Sequence, residues 1–374
     1  MASRYWVGGS SVWNATAGTK WALTSGGAGG QAVPTSVDDV FFDSASGAVT
    51  ITVGDGVALN CHDISFAGTS DADRFPGTIT FTGVASSTSL NVYGSMTLSW
   101  LGTIIFKDYL FSTNFKGTAN HTITSCNRFL GYIVFQGTGT YTLQDSLVNP
   151  GSEITHSSGT LATGNNNVLV GYYGSMGTTT RTLSLGTMTF ECNGSSINGG
   201  FQMSGSNCTI TNAENSTIKI GRAVLAVTFN FNCPNVSMGN LWLDVGTRTG
   251  NINFFNSMTG ATFKDWLDTG TASHTYNFNM NNALTVHVGS FRVSGDASHT
   301  ITLTSNDQTK GPVNLIKDGG GIVFGDYLNI QHMAVTPANT WYAGTHSVNN
   351  QGTSAAGSGY NFTNPPGDFF QFMP

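Results

Sequence analysis

The chain has 374 residues, of which 9% are charged, 39% hydrophobic and 11% aromatic, and its formal net charge is -6. Such apolar content excludes a disordered linker, and 14 scattered Lys and Arg leave no phosphate-tracking footprint, so nucleic acid is not an expected partner. Strong helix formers are scarce beside Thr, Val, Ile, Phe and Tyr, while 48 glycines serve turns, so the composition predicts an all-β chain.

Residues 1–45 read as an opening module. The start, MASRYWVGG, lacks the apolar stretch of a signal peptide, and no run approaches the ~18 apolar residues of a membrane span. Neither a secretory leader nor membrane insertion is expected. Trp6, Trp13 and Trp21 cross Gly/Ser/Thr turns ahead of a glycine-rich loop and the run from Val33 to Asp43. Three such indoles serve either as a stacking platform for sugar rings or as a plug for a following stack of strands, whose first coil otherwise exposes backbone edges.

Residues 46–335 alternate apolar and polar positions in short runs broken by Gly, Asn or Ser-Thr turns, among them VTITVG, TITFTG, SLNVYG, TIIFKD and TYTLQD. Two phrases recur. Phe106-Lys107-Asp108-Tyr109-Leu110 returns as Phe263-Lys264-Asp265-Trp266-Leu267 and as Phe324-Gly325-Asp326-Tyr327-Leu328. The run from Gly117 to His121 returns from Gly270 to His274 and from Gly295 to His299. Re-use of this kind marks stacked, similar coils. Apolar phrases ending in Phe81, Phe106, Phe135, Phe190, Phe229, Phe263 and Phe324 fit a coil of roughly 25–30 residues with three short strands, and insertions around 190–263. Some ten irregular coils at the strand spacing of ~4.8 Å make a rod of roughly 50 Å. The predicted fold is a single-chain, right-handed β-solenoid (a parallel β-helix), with Phe, Ile, Leu and Val in internal ladders and Thr and Asn outside. Over residues 336–374 the alternation breaks, and Trp341 and Tyr342, with Phe362, are placed as a closing cap.

No catalytic, cofactor or metal site is expected. Cys61, Cys126, Cys192, Cys208 and Cys233 lack Cys-x-x-Cys spacing and read as small buried residues. Glycan cleavage needs two carboxylates about 5–9.5 Å apart across a groove, and the chain has only Glu153, Glu191 and Glu214. Asp108, Asp265 and Asp326 recur with their phrase and are able to form an acidic row, though Asp at a strand end ordinarily accepts turn hydrogen bonds. His274 and His299 stand about one coil apart, which would make them neighbours in a metal row that leaves out His121; a turn or ladder role is the simpler reading. No Gly-x-Ser-x-Gly elbow, phosphate loop or calcium-binding nonapeptide repeat is present.

The opening Tyr5-Trp6-Val7-Gly8-Gly9, Trp13-Asn14, Trp21 and Pro34 to Asp43 resembles the start of bacteriophage virion-associated β-helix proteins. The ending, with Ile301 to Ser305, Asp326 to Gln331, Thr340 to Ser347 and Gly359 to Phe362, is similar to theirs, while Tyr141 to Asp145 and Arg181 to Leu185 are looser matches. The resemblance spans nearly the whole chain and carries no catalytic residues. It implies a structural, surface-exposed component of a phage particle: a capsid decoration, head fibre or short tail fibre or spike. Without a heptad-rich stem or separate anchoring domain, a compact subunit fits better than a long tail fibre. Expected partners are other capsid or tail proteins, host surface glycan, contacted through loops in 165–215 or the aromatic ends, and further copies of the chain, as a trimer. The expected location is the virion surface, after synthesis in the host cytoplasm. The enzymatic alternative is a tailspike-like glycan hydrolase or lyase; a bacterial surface adhesin is disfavoured by the missing leader.

Overall fold

The computed structural model describes residues 1–14, 18–53, 56–68, 70–81, 88–106, 111–194, 200–221, 228–247, 249–255, 258–279, 284–305, 312–350 and 359–366. Alternation of β-branched or aromatic residues with small polar ones gives each short strand one buried and one outer face. Thr50-Ile51-Thr52-Val53 runs exposed, buried, exposed, buried, and Thr78–Phe81 follows the same order with half-buried threonines. The structure is all-β, with long parallel sheets; among the described residues the helical turns are Ser44–Ser46 and Asp71–Asp73. Among the described residues one pair of named strands is antiparallel, Ser3–Trp6 with Trp21–Ala22. Parallel partners need a crossover of about a dozen residues or more. Here short strands of other sheets supply it in place of helices.

The chain folds into two compact units, one of residues 1–170, 174–185 and 206–211, the other of residues 171–173, 186–205 and 212–374. In the first unit one sheet holds Ser11–Trp13, Thr50–Val53, Thr78–Phe81 and Thr103–Phe106. A second row pairs Ala58–Cys61, Ser89–Val92, Ser112–Phe115, Tyr132–Phe135 and Leu147–His156. A 10-stranded sheet contains Ile64–Ser65, Met96–Thr97, Asn120–Thr124 and Thr140–Leu143. From Thr50 to Thr124 the chain visits the three in rotation, three times over. Thr50, Thr78 and Thr103 fall on one rank, so each return to the first sheet takes a full circuit. Beyond Thr124 the first sheet drops out and the chain alternates between the other two. Ser112 then pairs with Tyr132 and Thr140 with Thr160, a visibly shorter return. The expected coil of roughly 25–30 residues therefore holds for the three-sheet part and shortens just beyond Thr124, while in the second unit returns such as Thr189 to Thr217 and His274 to Ile301 fall within it again.

The second unit has two rows of parallel strands. One runs from Thr189–Cys192 through Thr217–Ile220, Ser237–Leu243, Thr262–Asp268, Thr285–Arg292 and Val313–Lys317 to Met333–Thr336. The other runs from Gly200–Met203 through Phe229–Asn232, Asn251–Phe255, His274–Asn279 and Ile301–Ser305 to Leu328–Ile330. A short third sheet joins Val323–Phe324, Trp341–Tyr342 and Tyr360–Asn361.

Parallel, in-register pairing stacks like residues. Phe81 and Phe106 lie face to face with ring centroids 4.5 Å apart, and Phe201, Phe231, Phe254 and Phe278 form a ladder at 5.8, 5.9 and 5.0 Å. Asparagine does the same. Asn114 donates to Asn91 at 3.0 Å and Asn91 to Asn60 at 3.1 Å; Asn277 donates to Asn253 and Asn253 to Asn230, each at 3.0 Å. Asn91, Asn114 and Asn277 are buried, against the expectation that asparagine stays outside, because each amide finds its partner one rung away. All five cysteines are free thiols, four buried and Cys208 half-buried.

The recurring phrases do not mark equivalent rungs. Phe106 pairs with Phe81, Phe263 with Met238 and Val288, and Phe324 with Tyr342. In two of the three histidine phrases a local fold recurs. A Cβ added at Gly117 would come within 2.4 Å of the His121 ring, and one at Gly270 within 2.8 Å of the His274 ring, so each imidazole lies back over its own glycine.

Candidate functional site

Trp6, Trp13 and Trp21 are 0–1% exposed. Trp21 meets Trp6 edge-on at 5.2 Å and Trp13 at 5.3 Å, and Trp13 also packs on Phe42 and Phe81. Their faces are spent on one another and on phenylalanine, which leaves none for a sugar. The strands that carry Trp6, Trp13 and Trp21 lie at the ends of two sheets of the first unit. Trp341 is buried against Phe291 and Tyr360, at 5.6 and 5.9 Å, and its indole N–H donates to the Thr336 carbonyl at 3.2 Å. Tyr342 is half-buried and pairs with Phe324 and Asn361.

The acidic row does not form. Asp108 lies outside the described residues. Asp265 sits within a strand and accepts from the Ser290 hydroxyl. Asp326 accepts from the Tyr327 and His346 backbone N–H groups at 2.8 and 3.0 Å. Nor do the histidines align. His274 pairs with Ile301 rather than His299, which leaves the two imidazoles out of register. Its Nε2 lies 2.8 Å from Asp268 Oδ2, which also accepts from the Tyr276 hydroxyl at 2.5 Å. Burial opposes charge on His274, but the Asp268 hydrogen bond and negative charge outweigh it and raise its pKa. Lys219 lies 3.4 Å from Glu191 and 3.2 Å from Asp244, with its ammonium 4.4 Å from the Trp242 ring centroid. Glu214 is exposed and Glu153 half-buried.

Two adjoining hollows lie on the first unit, at the corner between the second row and the 10-stranded sheet. Register fixes it: Cys61, Val92 and Phe115 share a rank, so the residues that follow them, His62, Tyr93 and Lys116, stack at the corner. One hollow is lined by His62, Tyr93, Lys116, Gly117, Thr118 and His121. A second runs from Pro34, Thr35 and Ser36 past Asn60 to the same Tyr93. Tyr93 thus stands where the two meet.

Two glycines make room for this corner. A Cβ on Gly94 would lie 1.9 Å from Asp63 Oδ1 and 2.8 Å from His62 Nδ1. One on Gly117 would strike His121 Nε2 at 2.4 Å and the Tyr93 carbonyl at 2.5 Å. Beneath them the buried Tyr141 hydroxyl accepts from the Gly117 N–H at 2.7 Å and donates to the Val92 carbonyl at 3.1 Å, tying adjacent rungs together. Burial pushes that hydroxyl up to about 12. Behind His62 stand two carboxylates, Asp39 Oδ1 at 3.0 Å and Asp63 Oδ1 at 3.1 Å from Nδ1. The His121 ring meets His62 edge-on at 5.9 Å, and its buried Nε2 has no hydrogen-bond partner. Burial, then the charge of His62, lowers the His121 pKa, with Asp63 opposing.

Sequence reasoning missed Asp39, His62, Asp63 and Tyr93. The available signal was that Asp38-Asp39 and His62-Asp63 stand about one coil apart. No family model, no curated protein and no solved structure matches the chain.

Proposed function

We propose that this chain is a right-handed β-solenoid serving as a structural, surface-exposed component of a bacteriophage particle, a capsid decoration, head fibre or short tail fibre or spike, present in several copies. The observation that carries the reading is the in-register passage of the chain through parallel sheets in rotation, beside the resemblance of both ends of the sequence to virion-associated β-helix proteins. Right-handedness follows from the strong preference of parallel crossovers for that hand. A stack in which every rung is hydrogen-bonded to the next suits a stiff appendage. Its Thr-rich outer faces make contacts that salt screens little, because few charges are involved.

In this reading the Tyr93 groove holds a neutral stretch of host surface glycan. An aromatic ring offers a face to the apolar side of a sugar, while Thr35, Ser36, Asn60 and Thr118 offer hydroxyl and amide groups to its edges. Antibody labelling of intact particles under the electron microscope tests location, and unlabelled surfaces overturn it. Binding of the purified chain to host surface polysaccharide tests adhesion, and Tyr93→Ala is expected to weaken it about 10-fold. Shortening of the polysaccharide, abolished by single Asp→Asn or Glu→Gln changes, establishes the hydrolase or lyase alternative instead.

A further inference from the structure

We propose that Asp39, His62 and Asp63 form a binding site for one divalent transition-metal ion, of the Zn²⁺ or Mn²⁺ class. The inference is independent of where the protein acts, since it rests on the local fold alone.

Val40 pairs with Ile64, so Asp39 and Asp63 are direct neighbours on adjacent parallel strands. Like charges placed so are destabilising unless a cation lies between them. Among the described residues the one basic side chain within ion-pair distance of either is His62. Its Nδ1 faces both carboxylates at once, yet an imidazole carries at most one hydrogen there, so it cannot make two full hydrogen bonds. A metal ion satisfies all three lone-pair donors together.

The spacing already suits it. The three ligand atoms lie within 4.8 Å of one another, with Nδ1 at 3.0 and 3.1 Å from the two oxygens. With metal–ligand bonds of about 2.0–2.2 Å, these two separations each subtend roughly 95° at the ion, the angle between adjacent ligands of an octahedron. The remaining positions are left for water or an oxygen ligand. Two carboxylates with one imidazole select Zn²⁺ or Mn²⁺ over the all-oxygen cage that Ca²⁺ prefers. The ligands are also held from behind. Asp63 Oδ1 accepts from the Ser95 N–H at 2.7 Å and Asp39 Oδ1 from the Asp63 N–H at 3.2 Å, bonds of the kind that orient metal ligands. Gly94 leaves the space that Asp63 and His62 occupy.

The test is calorimetric titration of chelator-treated full-length protein with ZnCl₂ at neutral pH, with MnCl₂ in a parallel run. Saturable binding of one ion per chain is expected. His62→Asn should weaken it by about 10-fold or more, because the amide keeps a donor toward the carboxylates but offers no comparable nitrogen lone pair. Asp39→Asn and Asp63→Asn still accept the backbone N–H groups and should weaken it similarly, which keeps the test open if His62→Asn folds poorly. His287→Asn, at the separate His287–Asp318 pair, should leave it unchanged. Absence of saturable binding by the wild type overturns the proposal, as does unaltered affinity in a folded variant of any of the three ligands.

Discussion

Replacing Asn91 by alanine probes whether the rungs of the first unit are coupled through their side chains. Asn91 is 5% exposed and sits mid-ladder, donating to Asn60 and accepting from Asn114. Its removal deletes two hydrogen bonds but affects the partners unequally. Asn114 is 8% exposed and next pairs with Val134, so its orphaned N–H finds no substitute, at about 1–3 kcal/mol. Asn60 is half-buried, so its oxygen recovers water and loses only ~0.5–1.5 kcal/mol. Asn91→Ala should therefore cost roughly 2–4 kcal/mol in urea denaturation. Removing Asn114 as well deletes the orphan, so the double variant should fall short of the summed single effects by about 1–2 kcal/mol. Single effects that add to within ~0.3 kcal/mol, or an Asn91→Ala cost below ~1 kcal/mol, would refute the coupling.

Further expectations concern packing and pH. Phe81, stacked on Phe106 and touching Trp13 and Phe111, should cost about 3–5 kcal/mol as Phe81→Ala, whereas Thr80→Ala on the outer face should stay within about 0.5 kcal/mol; the reverse ranking in thermal melts would contradict the register. His156 is fully buried, and burial lowers its pKa to about 4, so the folded state resists its protonation. Its contribution is present above the unfolded value of ~6.5 and is lost as pH falls towards 4, up to about 3 kcal/mol. His156→Gln should flatten that limb of the urea midpoint against pH, and an unchanged slope would count against it. His274 behaves oppositely: with its pKa raised, its stabilisation is full below ~6.5 and fades as pH rises through the folded value, a fade that His274→Gln should abolish.

Much of the fold is legible in the sequence because strand faces follow a period of two. Ile51, Val53, Ile79 and Phe81 point inward and Thr50 and Thr52 outward, as alternation alone dictates. Turns are legible too, since glycine and asparagine mark the corners, as at Asn165, Asn207 and Asn212 with positive φ. The buried asparagine ladders were not legible. An asparagine is polar in any reading of one strand, and only a second asparagine on the next rung makes its burial tolerable.

Composition and alternation were enough for the all-β class and for the inward and outward positions, because both are properties of single strands. Which rung lies beside which was a matter of packing in three dimensions. Register depends on how much chain is spent before it returns: Thr50 comes back only beside Thr78, whereas Ser112 is already beside Tyr132. That length is set across the core rather than by local pattern. The same non-local choice broke the apparent rows of Asp265 with Asp326 and of His274 with His299. It also placed Asp39 beside Asp63, with His62 between them, although no local spacing rule joins the three.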